Sequence, residues 1–281
     1  MLIGAHISAA NGVFNAPLNA AKIGCECYQF FTRPPQGGPA PKLTPAIIKL
    51  FKKNNNHFGF KEYYIHAPYF INLASNKNNI YYGSISVLKE ELKRGSDLEV
   101  KYLMTHLGSA KDLGRSEALN KVSGAIEKIL NDYQGATQFL IEMSAGSGEI
   151  IGATFEEIGI ILKKIKPEIR KKIGICFDTA HAFASGYDLR DKEKAKKVWQ
   201  QFDKIIGLKN LKLIHLNDSL SDLNSRRDRH APIGQGKIGL KGIEALIKNK
   251  KMCDINLISE TPGELNRKED IKILKKLRNK R

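Results

Sequence analysis

The sequence predicts an α/β fold, a closed (β/α)8 TIM barrel, and three observations point there. Eight short runs rich in Val, Ile, Leu, Phe and Tyr recur along the 281 residues. Helix-period segments separate them, and strand–helix alternation throughout implies a parallel sheet with right-handed crossovers. Nine His, Asp and Glu side chains fall at or soon after the ends of the runs. Such a barrel gathers its reactive groups at the C-terminal ends of its strands.

The strand-like runs are 2–6, 27–31, 63–66, 102–106, 139–142, 173–178, 211–215 and 256–260. They lack strict apolar/polar alternation, as strands covered on both faces do. The helical periods between them include 44–53 (after Pro41), 84–95, 115–132, 154–166, 192–206, 240–250 and 266–276. Thr154 places a capping hydroxyl before a helix, with Glu157 three positions on. Pro- and Gly-containing stretches at 33–41, 145–152 and 231–239 read as long βα loops with room for function. No linker interrupts the pattern, so one barrel domain over 1–281 is expected.

Composition narrows the partners. Lys and Arg total 46 against 29 Asp and Glu, a formal charge of +17, with pI near 9.6. Such a surplus favours a polyanion, nucleic acid above all, although many lysines fall on exposed helix faces. A hydrophobic share of 42% and a mean hydropathy of −0.33 suit a water-soluble chain with a sizeable core. No apolar run approaches the ~18–20 residues of a membrane span, and MLIGAHISAANG lacks a signal peptide's basic start. Cys25, Cys27, Cys176 and Cys253 read as buried or half-buried thiols and suit a reducing cytoplasm. The basic tail, 275–281, is expected to be a frayed, solvated helix end.

The runs YYIH, YLMTH, FLIE, IGICFD, LKLIH and INLISE end in His66, His106, Glu142, Asp178, His215 and Glu260. His181, Asp228 and His230 follow in the loops. One histidine at a strand end is most simply a hydrogen-bonded core residue; the set together is not. Carboxylates at the end of a buried strand are costly to desolvate unless a cation compensates them. Mixed His and carboxylate donors suit Zn2+, with Mn2+ second, and nine donors serve about three ions. Arg227 and Arg229 flank Asp228 and are placed to meet a phosphate, or else stand as plain surface arginines. His6 ends the first strand at the same mouth, where it either supports a ligand from behind or simply packs. His57 is expected at the surface. Gly234–Gly239 (GQGKIG) matches a dinucleotide fingerprint in letters only. It does not follow the first strand of a βαβ unit, so no nucleotide cofactor is expected, and a flexible loop leading into a helix is the reading.

Three stretches carry a resemblance: FDTAHAFASGYD (177–188), HLNDS (215–219) and SRRDRH (225–230) with IGQGKIG (233–239). With GAHIS (4–8) and SETP (259–262) at the two ends, the chain resembles the endonuclease IV family of zinc-dependent apurinic/apyrimidinic endonucleases. The resemblance implies three Zn2+ ions, with all nine ligand positions kept. His66 and His106 would hold the first, with Glu142 bridging to the second. Asp178, His215 and Glu260 would complete the second; His181, Asp228 and His230 would hold the third. Glu142 would also orient the nucleophile, since a metal lowers the pKa of bound water. The implied reaction is hydrolysis of the phosphodiester 5′ to an abasic site in duplex DNA. It leaves a 3′-hydroxyl and a 5′-deoxyribose phosphate, with trimming of blocked 3′ ends besides. Tyr69 matches a family residue that contacts DNA at the lesion, and Phe70 beside it is placed to wedge or stack; the alternative for both is a core aromatic under a loop. A cytoplasmic monomer, nucleoid-associated in a prokaryote, is implied as well.

The chain departs from the family at three places. The loop after the second strand reads Thr32-Arg-Pro-Pro-Gln-Gly-Gly38 instead of an Asn-Gln-Arg type, and Arg33 or Gln36 would have to substitute. Met143 to Gly146 reads MSAG where NTAG is usual. Leu220 stands where lysine is common. A rival reading is a sugar isomerase or epimerase on the same barrel. Glu142, Asp178, His215 and Glu260 would hold its single ion, which leaves the other five donors and the charge unexplained.

Overall fold

The structure, a computed structural model, describes residues 1–280; Arg281 of the basic tail lies outside them. Seven strands come first: β1 (Ile3–His6), β2 (Cys27–Phe30), β3 (Tyr63–His66), β4 (Tyr102–Thr105), β5 (Gln138–Glu142), β6 (Ile173–Asp178) and β7 (Leu211–His215). A two-stranded hairpin, β8 (Asp218–Ser219) with β9 (His230–Ala231), interrupts the series before β10 (Asn256–Ser259). The seven and β10 pair in parallel, each beside its sequence neighbour among the eight, and β10 closes the barrel against β1. The expected strands agree with these to within one residue at each end.

Period-two geometry turns this barrel into a scaffold for a site. Successive side chains of a strand point to opposite faces. Cys27, Tyr64, Met104, Leu140, Cys176, Leu213 and Ile258 form one fully buried cluster that fills the lumen. Two residues further along the chain stand Gln29, His66, His106, Glu142, Asp178, His215 and Glu260. On β1, Gly4 takes the equivalent place because a Cβ there would lie 1.7 Å from the Cys27 carbonyl oxygen; His6 follows two residues on. The apolar lumen is thus a plug, and a polar layer rests on it.

Outward residues meet the helices. Phe177 packs against Trp199 at 4.6 Å between ring centroids, and truncating such a ring in a core costs about 3–5 kcal/mol. The helices are α1 (Ala16–Lys22), α2 (Pro45–Phe58), α3 (Asn78–Asp97), α4 (Arg115–Leu130), α5 (Phe155–Lys164), α6 (Pro167–Arg170), α7 (Thr179–Ala184), α8 (Lys192–Ile205), α9 (Gly239–Ile247) and α10 (Glu264–Asn279). Thr44 and Thr154 cap α2 and α5 by accepting from the amides of Ile47 and Glu157. Glu157 turns back to the amides of Gly152 and Ala153 at 2.9 and 3.1 Å.

Two expectations change. The tail does not fray at Lys275: α10 runs to Asn279 and buries Leu274 and Leu277. Arg278 donates to both oxygens of Glu26 at 2.6 and 3.0 Å, which pins the helix end beside β1. The glycine-rich loop at 234–239 is not merely flexible either. Its amides close on a carboxylate of the chain itself. Gly234, Gly236 and Ile238 each donate to Asp218 at 3.0 Å, and Gly239 at 3.2 Å. The cradle that a phosphate would need is filled.

Candidate metal centre

The nine expected donors converge on the mouth of the barrel, above the lumen plug. Three groups of donor atoms lie within 4.8 Å of one another: His66–His106–Glu142, Glu142–Asp178–His215–Glu260 and Asp178–His181–His230. Asp228 joins the third, with its oxygens 3.2 Å from His181 Nε2 and 3.3 Å from His230 Nε2. Glu142 therefore stands between the first two groups. One oxygen is 2.9 Å from His66 Nε2 and 3.7 Å from His106 Nε2; the other is 3.0 Å from His215 Nδ1. Asp178 holds the same place between the second and third. Its Oδ2 is 3.9 Å from His215 Nδ1 and 3.7 Å from His230 Nε2.

Local structure places the loop donors. Asp178 ends β6 and caps α7, accepting from the amide of His181 at 2.8 Å. The three-residue spacing thus turns His181 back over the strand end. His230 is set by the β8–β9 hairpin, where it pairs with Ser219.

Charge accumulates in a place that discourages it. Glu142 and Asp178 are fully buried. Burial opposes ionisation of Glu142, but His106, His215 and His66 outweigh it and hold the carboxyl well below its ordinary range. Burial likewise opposes charge on His181; Asp178, Asp228 and Glu142 win and raise it to about 10. Asp228, against burial, is held at about 2, chiefly by His181. Burial dominates at His106, which is lowered. Protonated histidines thus balance the carboxylates when no other cation does. His181 Nε2 and His230 Nε2 are buried without a hydrogen-bond partner among the described residues. Buried imidazole nitrogens that lack a hydrogen-bond partner and face ionised carboxylates fit divalent metal ions, which would displace the protons, and the donor set suits N/O-liganded ones.

Residues that the sequence did not flag hold the donors in place. Gln29, fully buried on β2, donates to Glu260 at 2.7 Å and meets His215 Nε2 at 2.7 Å and His6 Nδ1 at 2.9 Å. Asn217 donates to Asp178 at 2.7 Å and accepts from the amide of Glu260 at 2.8 Å. Position two beyond the lumen residue Cys27 was the available signal for Gln29. His6 lies 3.7 Å from Glu260, behind the ligands. His57 is exposed.

Around the mouth, Tyr69 and Phe70 are 61% and 38% exposed. They line a cavity of 390 Å3 together with His106, His181 and Asp228. Tyr69 rests edge-on against Phe31 at 5.3 Å. Arg227 and Arg229 are exposed and carry no ion pair among the described residues. Arg33 corrects an expectation. Its side chain is only 5% exposed, and its guanidinium lies 2.7 Å from Glu90 and 2.7 Å from the fully buried Glu91. It anchors the loop to α3 and is not free to touch DNA. Gln36 is left exposed at the loop tip, where the Pro35 carbonyl accepts from the amide of Tyr69. Leu220 is 57% exposed. A larger groove of 940 Å3 runs between α8 and α9 on the barrel wall and contains none of these donors.

Comparison with known proteins agrees with this geometry. The family described as xylose isomerase-like TIM barrels matches residues 17–277. A probable endonuclease 4 of Halothermothrix orenii is 37% identical over 278 residues, 99% of each chain. One of Nitrosopumilus maritimus is 39% identical over 267 residues, 93% of this chain and 94% of that one. The crystal structure of endonuclease IV from Thermus thermophilus superposes with a TM-score of 0.87 at 28% identity, covering both chains completely. A D-tagatose 3-epimerase-like protein, at a TM-score of 0.76 and 21% identity, shares the fold. Fold, centre and sequence together place the chain in the endonuclease IV family, within the xylose isomerase-like TIM barrels.

Proposed function

We propose that the chain is a metal-dependent DNA-repair hydrolase that cuts duplex DNA 5′ to abasic sites. It leaves a 3′-hydroxyl and a 5′-deoxyribose phosphate, and it also trims blocked 3′ ends. The observation that carries this reading is the convergence of nine donors into three linked groups at one barrel mouth. Three Zn2+ ions suit the donor types and their number. His66, His106 and Glu142 would hold one, with Glu142, Asp178, His215 and Glu260 around the second. His181, His230 and Asp228 would hold the third, with Asp178 beside it. When bound, the ions supply Lewis-acid charge at the phosphate and lower the pKa of water to near neutral.

The chain's own residues divide the remaining work. Glu142, ionised and with one oxygen toward each of two groups, orients the attacking water. The exposed Tyr69 and Phe70 offer rings to the nucleotides around the lesion, and an abasic nucleotide costs little to turn out of the stack. Arg227 and Arg229 meet backbone phosphates, where much of the affinity of such proteins arises. A single-domain monomer working in the cytoplasm completes the reading.

One observation favours a second reading. Glu142, Asp178, His215 and Glu260 make a complete four-donor group on their own, as a single-metal sugar epimerase would need. That reading leaves the other five donors without a purpose. Incubation with abasic duplex followed by primer extension separates the two: the nuclease leaves a nick whose 3′-end a DNA polymerase extends directly, and an epimerase leaves the duplex uncut. A nick that polymerase cannot extend contradicts the proposal.

A further inference from the structure

We infer that Gln29 is a positioning residue that decides which nitrogen of His215 faces the metal centre. The inference rests on the metal reading of the site and goes beyond it. Glu260 Oε1 lies 2.7 Å from the Gln29 side chain. A carboxylate oxygen only accepts, so the Gln29 atom facing it is the amide nitrogen, Nε2. The carbonyl oxygen of Gln29 is therefore the atom that sits 2.7 Å from His215 Nε2. A carbonyl also only accepts, so His215 Nε2 carries a hydrogen.

A neutral His215 then has its lone pair on Nδ1. That nitrogen lies 3.0 Å from Glu142 and 3.2 Å from Glu260. The second amide hydrogen of Gln29 goes to His6 Nδ1 at 2.9 Å, which leaves His6 with its hydrogen on Nε2. Three of the four hydrogen-bonding positions of this buried amide are used, both N–H donors among them. Flipping it would set oxygen against the Glu260 carboxylate and nitrogen against the N–H of His215, so one orientation is enforced.

The other histidines are set differently. Backbone carbonyls of Ala67 and Met143 take the Nδ1 hydrogens of His66 and His181 at 2.6 and 2.9 Å, which frees their Nε2 atoms. His215 is turned the opposite way, and a side chain turns it. Partners of this kind fix the tautomer of a ligating histidine, and losing one typically costs 10–100-fold in metal affinity.

The test is 1H–15N NMR of the histidine rings in the zinc-loaded protein, beside zinc affinity by competition with a chromogenic chelator for Gln29→Leu. The expected result is a hydrogen on His215 Nε2 in the unaltered protein and zinc bound about 10–100-fold more weakly at one site in the variant. A hydrogen on His215 Nδ1 in the unaltered protein overturns the inference, whether or not the variant folds. So does a folded Gln29→Leu protein that binds zinc as tightly as the original. Protein that shows the expected tautomer and zinc affinity but leaves abasic DNA uncut would sink the nuclease reading alone.

Discussion

His66 Nε2 lies 2.9 Å from Glu142 Oε2, across a sequence separation of 76 residues. The two reach each other because β3 and β5 flank β4 in a closed barrel and both side chains point inward, one layer above the lumen plug. Site and fold are thus mutually dependent. Glu142 and Asp178, fully buried, share this mouth with the half-buried Glu260 and the exposed Asp228, and among the histidines these carboxylates raise, against burial, His66, His181 and His215.

Competition between proton and metal gives a pH dependence. In metal-free protein, His181 is raised from 6.5 to about 10 by the carboxylates around it. A raised group stabilises the fold fully below its unfolded pKa and loses that contribution as pH rises through the folded one. Zinc needs the bare nitrogen, so proton and metal exclude each other. The difference in Tm between zinc-loaded and chelated protein should therefore widen from about pH 6.5 towards pH 10. Scanning calorimetry over a pH series reads it; a gap that stays constant or narrows contradicts the charge assignment.

Asp218 supports the loop that leads from β9 into α9. Asp218→Asn replaces one accepting oxygen with a donor facing backbone amides. A loss of about 1.5–3 kcal/mol is expected, as for hydrogen bonds to a charged group. Urea denaturation should show a lower midpoint with an unchanged slope. An unshifted midpoint would show that the cradle contributes nothing.

The arginines should separate by burial. Arg33→Ala leaves Glu91 buried and short of a partner, which costs about 3–5 kcal/mol, and the salt dependence of DNA binding should not move. Arg227→Ala or Arg229→Ala should leave stability within about 0.5 kcal/mol. Each should flatten the plot of log affinity against log salt by about one unit. Equal salt slopes for all three variants would remove Arg227 and Arg229 from the DNA interface.

Tyr69 is mostly exposed, so Tyr69→Ala should barely alter Tm. Losing a stacked base contact costs about 1–3 kcal/mol, or roughly tenfold in KM for a lesion-bearing duplex, with a smaller change in kcat. Steady-state kinetics that match the unaltered protein would place Tyr69 outside the contact.

The strands and the nine donors were legible because both follow from short periods. A strand buried on both faces reads as an apolar run, and a polar group at its inner end has few ordinary uses. Boundaries moved by a residue where the run itself was ambiguous: His106 and Glu260 stand one past β4 and β10. Arg33 was misread because its partners Glu90 and Glu91 belong to α3, 58 residues away in the case of Glu91. Local sequence does not show such a partner. Gln29 was missed because glutamine alone carries no metal signature; its meaning comes from standing level with His6, His66 and His215. The tail was misjudged although Leu274 and Leu277 sit at helical spacing, because its lysines and arginines dominate the local composition.

The most direct test of the central claim is cleavage of a duplex oligonucleotide carrying one abasic analogue. Zinc-replete protein, the same protein after prolonged chelation, and Glu142→Gln would be compared. The account predicts a single cut immediately 5′ to the lesion, abolished by chelation and restored by zinc. In Glu142→Gln the cut should weaken by at least about 100-fold, given that even an outer partner of a metal ligand is worth 10–100-fold. An intact duplex with zinc-replete protein, or an undiminished cut by Glu142→Gln, would contradict it.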